Sequence, residues 1–213
     1  MKIALAALVL AAPAFAAPLA LDSDPGHSTA SFAVRHMMIN TVRGEFSKMT
    51  STLLWDKEDP SKSSVQVKIE AASVDTHNEK RDGHLKSPDF FDAAKCPEIA
   101  FKSSKIEKVE GDNKYKVTGD LTMHCQTHPA TLSATFTPNA MKTPWGTEVY
   151  AGSATGTVKR SEWGLTWNKP LEQAGGVLVS DEVSLEVDAE YGVKAAAPAV
   201  KKEGTVETNP KKN

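Results

Sequence analysis

Several stretches of this chain alternate apolar and polar residues with a period of two, and no other feature constrains its fold as strongly. In the clearest, Val183, Leu185, Val187, Ala189 and Tyr191 interleave with Glu182, Ser184, Glu186, Asp188 and Glu190. Tyr115, Val117, Gly119, Leu121 and Met123 likewise alternate with Lys116, Thr118, Asp120 and Thr122. Successive side chains on a strand point to opposite faces, so each run makes a strand with one buried and one wet face. Such strands, joined by short turns, build an antiparallel sheet or barrel.

From Ser28 a first strand sets Ala30, Phe32, Val34 and His36 on one face, opposite Ser31, Ala33 and Arg35. The string MMINTVRG, ending at Gly44, breaks the alternation and reads as a connection. A second strand runs from Glu45 to about Trp55, and WDKEDPSKSS, with Pro60, is a turn. Val65, Val67, Ile69 and Ala71 mark the next strand. Ile99–Val109 and Lys114–His124 form a hairpin over Glu110–Asn113, followed by a strand over Ala130–Phe136 and another over Tyr150–Arg160. In these last two, Ala130 and Ala134, and Gly152, Ala154 and Gly156, present small faces that leave room behind them. The pattern serves two architectures equally: a barrel with a ligand cavity, or a two-sheet sandwich filled by its own side chains.

One segment departs from the alternation. Around RDGHLKSPDFFDAAKCPEIA the sequence predicts a helical insert from about Asp75 to Ala94, with a helix-start signal at Ser87-Pro88-Asp89. Phe90 and Phe91 sit there among Arg81, Asp82, His84, Asp89 and Asp92. An apolar wedge ringed by charges suits a plug over the end of a sheet or barrel.

The N-terminus carries Lys2, an apolar run from Ile3 to Ala12, and then Ala14-Phe15-Ala16. These are the parts of a signal peptide over 1–16, cleaved after Ala16, and the apolar run is too short to span a bilayer. The mature protein is therefore expected outside the cytoplasm. After Val193 the segment 194–213 lacks periodicity and apolar bulk and is expected to be a disordered tail. Its lysines offer a transient contact with an anionic membrane surface. A net charge of −2 argues against a nucleic-acid partner, which requires clustered Lys and Arg.

Export bears on Cys96 and Cys125. If the hairpin closes, Ile99 faces roughly His124, and Cys96 falls just beyond the strand end, close to Cys125. In an oxidising compartment the two can pair, whereas in the cytosol they would be two buried thiols; pairing is the preferred reading. His124-Cys125-Gln126-Thr127-His128 lacks a second cysteine at zinc-like spacing and reads as a turn flanking that bridge. His77 and His84, with Asp75 and Asp82 nearby, outline a metal site only if the insert is continuous helix, which Gly83 and Pro88 oppose. No GxSxG elbow, HExxH helix or Gly-rich phosphate loop is present, so no catalytic residue and no metal ligand is assigned. Arg35, Arg81 and Arg160 are expected in internal salt bridges with Asp82, Asp89 or Asp120, or alternatively at the head of a polar ligand.

HSTASFAVRH, RDGHLKSPDFFD followed by CPEIAF, GDLTMH and KRSEWG occur in this order, and together they closely resemble the YceI-like family. The resemblance covers about Leu21 to Val193, within a domain taken as 17–193. It implies a periplasmic, all-β, lipocalin-like antiparallel barrel of about eight strands with a short helical insert, and so decides for barrel over sandwich. It also implies a non-catalytic carrier for a polyisoprenoid or similar long-chain lipid, as a monomer or homodimer, with no cofactor besides the lipid. Carried over by position, the candidate ligand-binding residues are Phe32, Arg35, His36, Arg81, His84, Leu85, Phe90, Phe91, Leu121, Arg160 and Trp163. Cys96 and Cys125 depart from the family pattern together, which supports their pairing. The alternative function is a periplasmic metal-dependent enzyme or stress-related factor using His77, His84 and the insert.

Overall fold

The computed structural model describes residues 17–171 and 176–194. The signal peptide read at 1–16 and the tail beyond Lys194 lie outside the described residues.

The alternating segments close into an eight-stranded antiparallel barrel with one short helix. Three of its staves are strands broken once. Strands β1 (Leu19–Ser23) and β2 (Thr29–His36) run end to end along one flank of β12 (Val179–Val193), pairing Leu21 with Val193 and Phe32 with Leu185. Beside them lie β3 (Asn40–Phe46), on β2, and β4 (Met49–Trp55), on β1. The third broken stave is β5 (Ser64–Glu70), on β4, continued by β6 (Val74–Asp75), on β3. The helix α1 (Glu79–Lys86) follows, and then β7 (Glu98–Lys108), β8 (Lys114–Met123) and β9 (Gln126–Phe136) continue the meander. A two-residue strand β10 (Met141–Lys142) flanks β11 (Glu148–Lys159), which closes the ring against β12 from Val149–Gly192 to Lys159–Glu182. Closure leaves each stave a partner on both sides, which removes the exposed edges of an open sheet.

Besides the break at Ser47–Lys48, which divides the strand expected over Glu45–Trp55 between β3 and β4, four details differ from the sequence reading. The first strand is β1, unassigned in the sequence because its five residues offer only Leu19 and Leu21 as alternation. The connection read over MMINTVRG is only Met37–Ile39, with Met37 and Met38 at positive φ, and β3 begins at Asn40. Gly44 hides that strand's alternation. A Cβ there would lie 2.5 Å from Phe32 Cζ and 2.7 Å from Thr76 Cγ2, so only glycine lets the Phe32 ring pack across it.

The insert is helical over Glu79–Lys86 alone, and its start is Asn78, whose side chain accepts from Arg81 N. Ser87 ends the helix instead of starting one. Its backbone is extended (φ −75°, ψ 170°), as the residue before a proline must be, and both its N–H and its hydroxyl donate to His84 O.

The fourth difference is one of register. Ala100 faces Thr122, one residue off the expected pairing, because an irregularity between Ser103 and Lys105 adds a residue to β7. The cysteines still meet. Cys96 and Cys125 form a disulfide with their Cα atoms 5.3 Å apart. Cys125 and His124 form the two-residue turn between β8 and β9, both at positive φ, the geometry of a type I′ hairpin.

Candidate functional site

Inward-facing side chains of all eight staves enclose a lumen of about 620 Å³. Its walls are aliphatic, with Val34, Val67, Val117, Leu132, Leu185 and Val187 among them. Ala130, Ala134, Gly152 and Ala154 line it too, so most of the small residues noted in the sequence do leave space. Gly156 serves a different purpose, since a Cβ there would come within 2.5 Å of Leu132 Cδ2. From Tyr115 to Met123 along β8 the lumen wall is about 20 Å deep, given ~3.4 Å per residue and a strand tilt of ~35–45°.

One end is covered by α1, the turn after it and the chain following β11. Arg81 is fixed by Thr76, with Nε donating to Oγ1 at 2.7 Å and Nη2 to the carbonyl at 2.8 Å. Asp82, buried, accepts from the Thr76 N–H and hydroxyl, tying α1 to β6. His84 Nε2 lies 2.8 Å from Asp89 Oδ2, and its ring meets Phe90 and Trp167 edge-on at 5.0 and 4.8 Å. Phe91 packs on Phe46 at 5.6 Å, and Phe46 on Phe32 at 5.8 Å. The expected wedge is therefore real: Phe90 and Phe91 are buried over the end of the barrel.

Arg160, only 6% exposed, donates from Nε to Ser180 O and from Nη1 to Leu165 O. Burial lowers its pKa from the ordinary arginine value, opposed by the charge of Asp181. The expected salt bridges of Arg35, Arg81 and Arg160 to Asp82, Asp89 or Asp120 do not form among the described residues. Thr76 and His84 take Asp82 and Asp89 instead, and the guanidiniums bind carbonyls and hydroxyls.

The opposite end is floored by aromatics. Trp55 lies 5.5 Å from Tyr115 and 4.7 Å from Phe136, and Phe136 lies 6.3 Å from Tyr191. Tyr191 Oη and Ser51 Oγ are 2.9 Å apart, and burial raises the Tyr191 pKa above the usual phenol value.

Of the residues carried over from the resemblance, Phe32, His36, Arg81, His84, Leu85, Phe90, Phe91, Leu121 and Arg160 line the lumen. Two do not. Arg35 is exposed on the outer face of β2, where Nη1 donates to Thr41 Oγ1 and Nη2 to Met38 O, bracing the hairpin tip. Trp163 is 1% exposed and packed on His128 outside the lumen lining, its Nε1 donating to Leu121 O at 2.9 Å. Trp55, Tyr115, Phe136, Tyr191 and Trp167 also line the lumen and were not singled out. The period-two signal had put Tyr115 and Tyr191 on inward faces but carried no sign that both join Trp55 and Phe136 at one end.

The metal site outlined by His77 and His84 is not assembled. His77 is exposed, with Nδ1 3.5 Å from Asp75, while His84 is committed to Asp89. Among the described residues the three metal-ligating groups that converge are Asp24, His27 and Glu190, outside the insert at the break between β1 and β2. His27 Nδ1 lies 3.0 Å from Asp24 Oδ2 there, which raises the His27 pKa and lowers that of Asp24.

The model of the YceI-like domain matches residues 21–191. A UPF0312 protein of Pseudomonas putida is 35% identical over 159 residues, covering 75% of this chain and 82% of that relative. In structure, the chain is similar to BcnA of Burkholderia cenocepacia, with TM-score 0.68 and 25% identity over 79% of this chain and 98% of BcnA. A polyisoprenoid binding domain from Saccharophagus degradans, implicated in plant cell wall breakdown, shares the fold at TM-score 0.54 and 13% identity, over 83% of this chain and 99% of that domain.

Proposed function

The chain belongs to the YceI-like family, and from that membership and its lumen we propose that it is an exported, non-catalytic carrier that holds a polyisoprenoid or similar long-chain lipid inside the barrel. The observation that carries this reading is the lumen itself. Its walls are almost wholly aliphatic and aromatic, and it extends from the α1 end to the aromatic floor. Its volume of about 620 Å³ falls within the ~300–1,000 Å³ typical of ligand sites. A slender apolar chain suits that shape, and each methylene taken from water contributes about 0.8 kcal/mol without any polar partner. The Saccharophagus domain, alike in fold alone, is described as polyisoprenoid-binding, which agrees with the ligand class named here. Export to the periplasm is proposed from the apolar run and small residues of 1–16, and the Cys96–Cys125 bridge suits that compartment.

Native mass spectrometry of periplasm-purified protein, followed by denaturing extraction, tests the carrier. The expected result is an added mass that dissolves into a long-chain lipid. Ala154→Trp, which sets an indole in the lumen from β11, is expected to abolish that mass while leaving the fold intact. Wild-type protein that is reproducibly empty and refuses added lipid would refute the reading.

A further inference from the structure

The floor of the lumen contains an unmet demand for a hydrogen bond. Trp55 is 4% exposed and its ring lines the lumen, while its indole Nε1 is wholly buried in the packed floor and has no acceptor. It is the one buried side-chain nitrogen or oxygen among the described residues in that condition. Buried indole N–H groups usually find a partner, and leaving one without an acceptor is costly. The same chain meets the requirement elsewhere, where Trp163 donates to Leu121 O. We propose that Trp55 is a ligand-recognition residue whose N–H donates to a neutral carbonyl oxygen, of ketone or ester type, at the inner end of the lipid in the lumen. This deepens the carrier reading and rests on it.

The surroundings select that chemistry. Trp55 lies at the end of β4 that pairs with Leu19, far along the staves from α1. Beside it are the rings of Tyr115 and Phe136. The positively charged lining residues, Lys80, Arg81 and Arg160, belong to α1 or to the chain leaving β11, at the other end. A phosphate or carboxylate on the floor would be buried without a counter-charge, which is far more costly than burying a carbonyl. Tyr191 is already engaged with Ser51, which leaves the Trp55 N–H as the wholly buried donor of the floor without a protein partner. As packed, the N–H has no surface open to the lumen, so donation requires the indole to turn; ring contacts alone hold it, and the turn breaks no hydrogen bond.

The test offers delipidated full-length protein a long-chain methyl ketone and the n-alkane of the same carbon count together, from detergent micelles. Mass spectrometry of the extract gives the bound ratio of ketone to alkane. Wild type is expected to favour the ketone by about tenfold more than Trp55→Phe does, the factor that one such hydrogen bond supplies. In parallel, the Trp55 indole N–H resonance of wild type, assigned by its loss in Trp55→Phe, is expected to move downfield with the ketone alone as probe and to stay with the alkane. An equal ratio in both proteins, or an indole resonance that ignores the ketone, would overturn the role of Trp55 and leave the carrier standing. Retention of neither chain by wild type would overturn the carrier, and this inference with it.

Discussion

Reducing the Cys96–Cys125 bridge should cost a predictable share of the barrel's stability. The bridge joins residues 29 apart in sequence. Treating it as a constraint on the unfolded chain, the loop-closure relation gives an entropy of about 12 cal/mol/K, or about 3.6 kcal/mol at 25 °C. With a urea slope of about 2.5 kcal/mol/M, the unfolding midpoint should fall by about 1.4 M on reduction. The comparison is best made on one polypeptide, oxidised and then held in excess reductant, since Cys96 is 4% exposed and its replacement would add a cavity. The double variant Cys96→Ala/Cys125→Ala is expected to lie at or below the reduced wild type for that reason. The β7–β8 hairpin that the bridge ties off is local, so residual hairpin in the unfolded state would shrink the effect. Reduced protein unfolding within about 0.4 M of the oxidised form, less than about 1 kcal/mol, would refute the argument that this cross-link restrains the unfolded chain.

Gly44→Ala should destabilise by about 1–3 kcal/mol, because the new Cβ would overlap Phe32 and the buried Thr76. Alanine in place of glycine ordinarily favours folding by a few tenths of a kcal/mol to about 1 kcal/mol, so a raised urea midpoint would refute the close approach. His27 should titrate above its ordinary 6.5, chiefly through the Asp24 hydrogen bond and then the charges of Asp24 and Glu190. Asp24 is held below its ordinary 3.8 by the same bond and by the Gly26 N–H. The pair's contribution to stability is thus complete between 3.8 and 6.5. It is lost as pH rises through the raised His27 value or falls through the lowered Asp24 value. An NMR titration placing His27 at or below 6.5, or unmoved by Asp24→Asn, would contradict this.

How far the sequence reached depended on what each signal encodes. Parity along a strand is a local property, and it held. Phe32 and His36 share one parity and line the lumen, while Arg35, of the other parity, lies outside. Arg35 entered the candidate ligand set through a motif, and a motif does not distinguish a residue that touches ligand from one that braces a hairpin. Ser87-Pro88 was legible as a helix boundary but not as which boundary. Proline relaxes the chain at a helix start and forbids continuation before it, and here the second effect decides. The floor of the lumen was the hardest to see. Trp55, Tyr115, Phe136 and Tyr191 sit on four different staves and converge only because β11 and β12 close the ring, a long-range pairing that no local pattern contains.

The two ends of the lumen also answer different physical problems. Along the walls, burial rewards any apolar chain by roughly the same ~0.8 kcal/mol per methylene, so the walls set affinity and discriminate weakly. Discrimination has to come from directional groups, and the structure separates them by role. At the α1 end, Arg81 and Arg160 bind Thr76, Ser180 and Leu165, while His84 is held by Asp89. Those groups are occupied in holding the cover in place, and removing one would loosen the wedge of Phe90 and Phe91 before it altered any choice of ligand. On the floor, Ser51 and Tyr191 satisfy each other, and the Trp55 N–H remains the wholly buried donor without a partner. A donor with no competing partner loses nothing by binding and is costly when left alone, which is the condition under which one hydrogen bond separates two otherwise equal chains. With Trp55 recognising the ligand as proposed, selectivity belongs to the end remote from the charges.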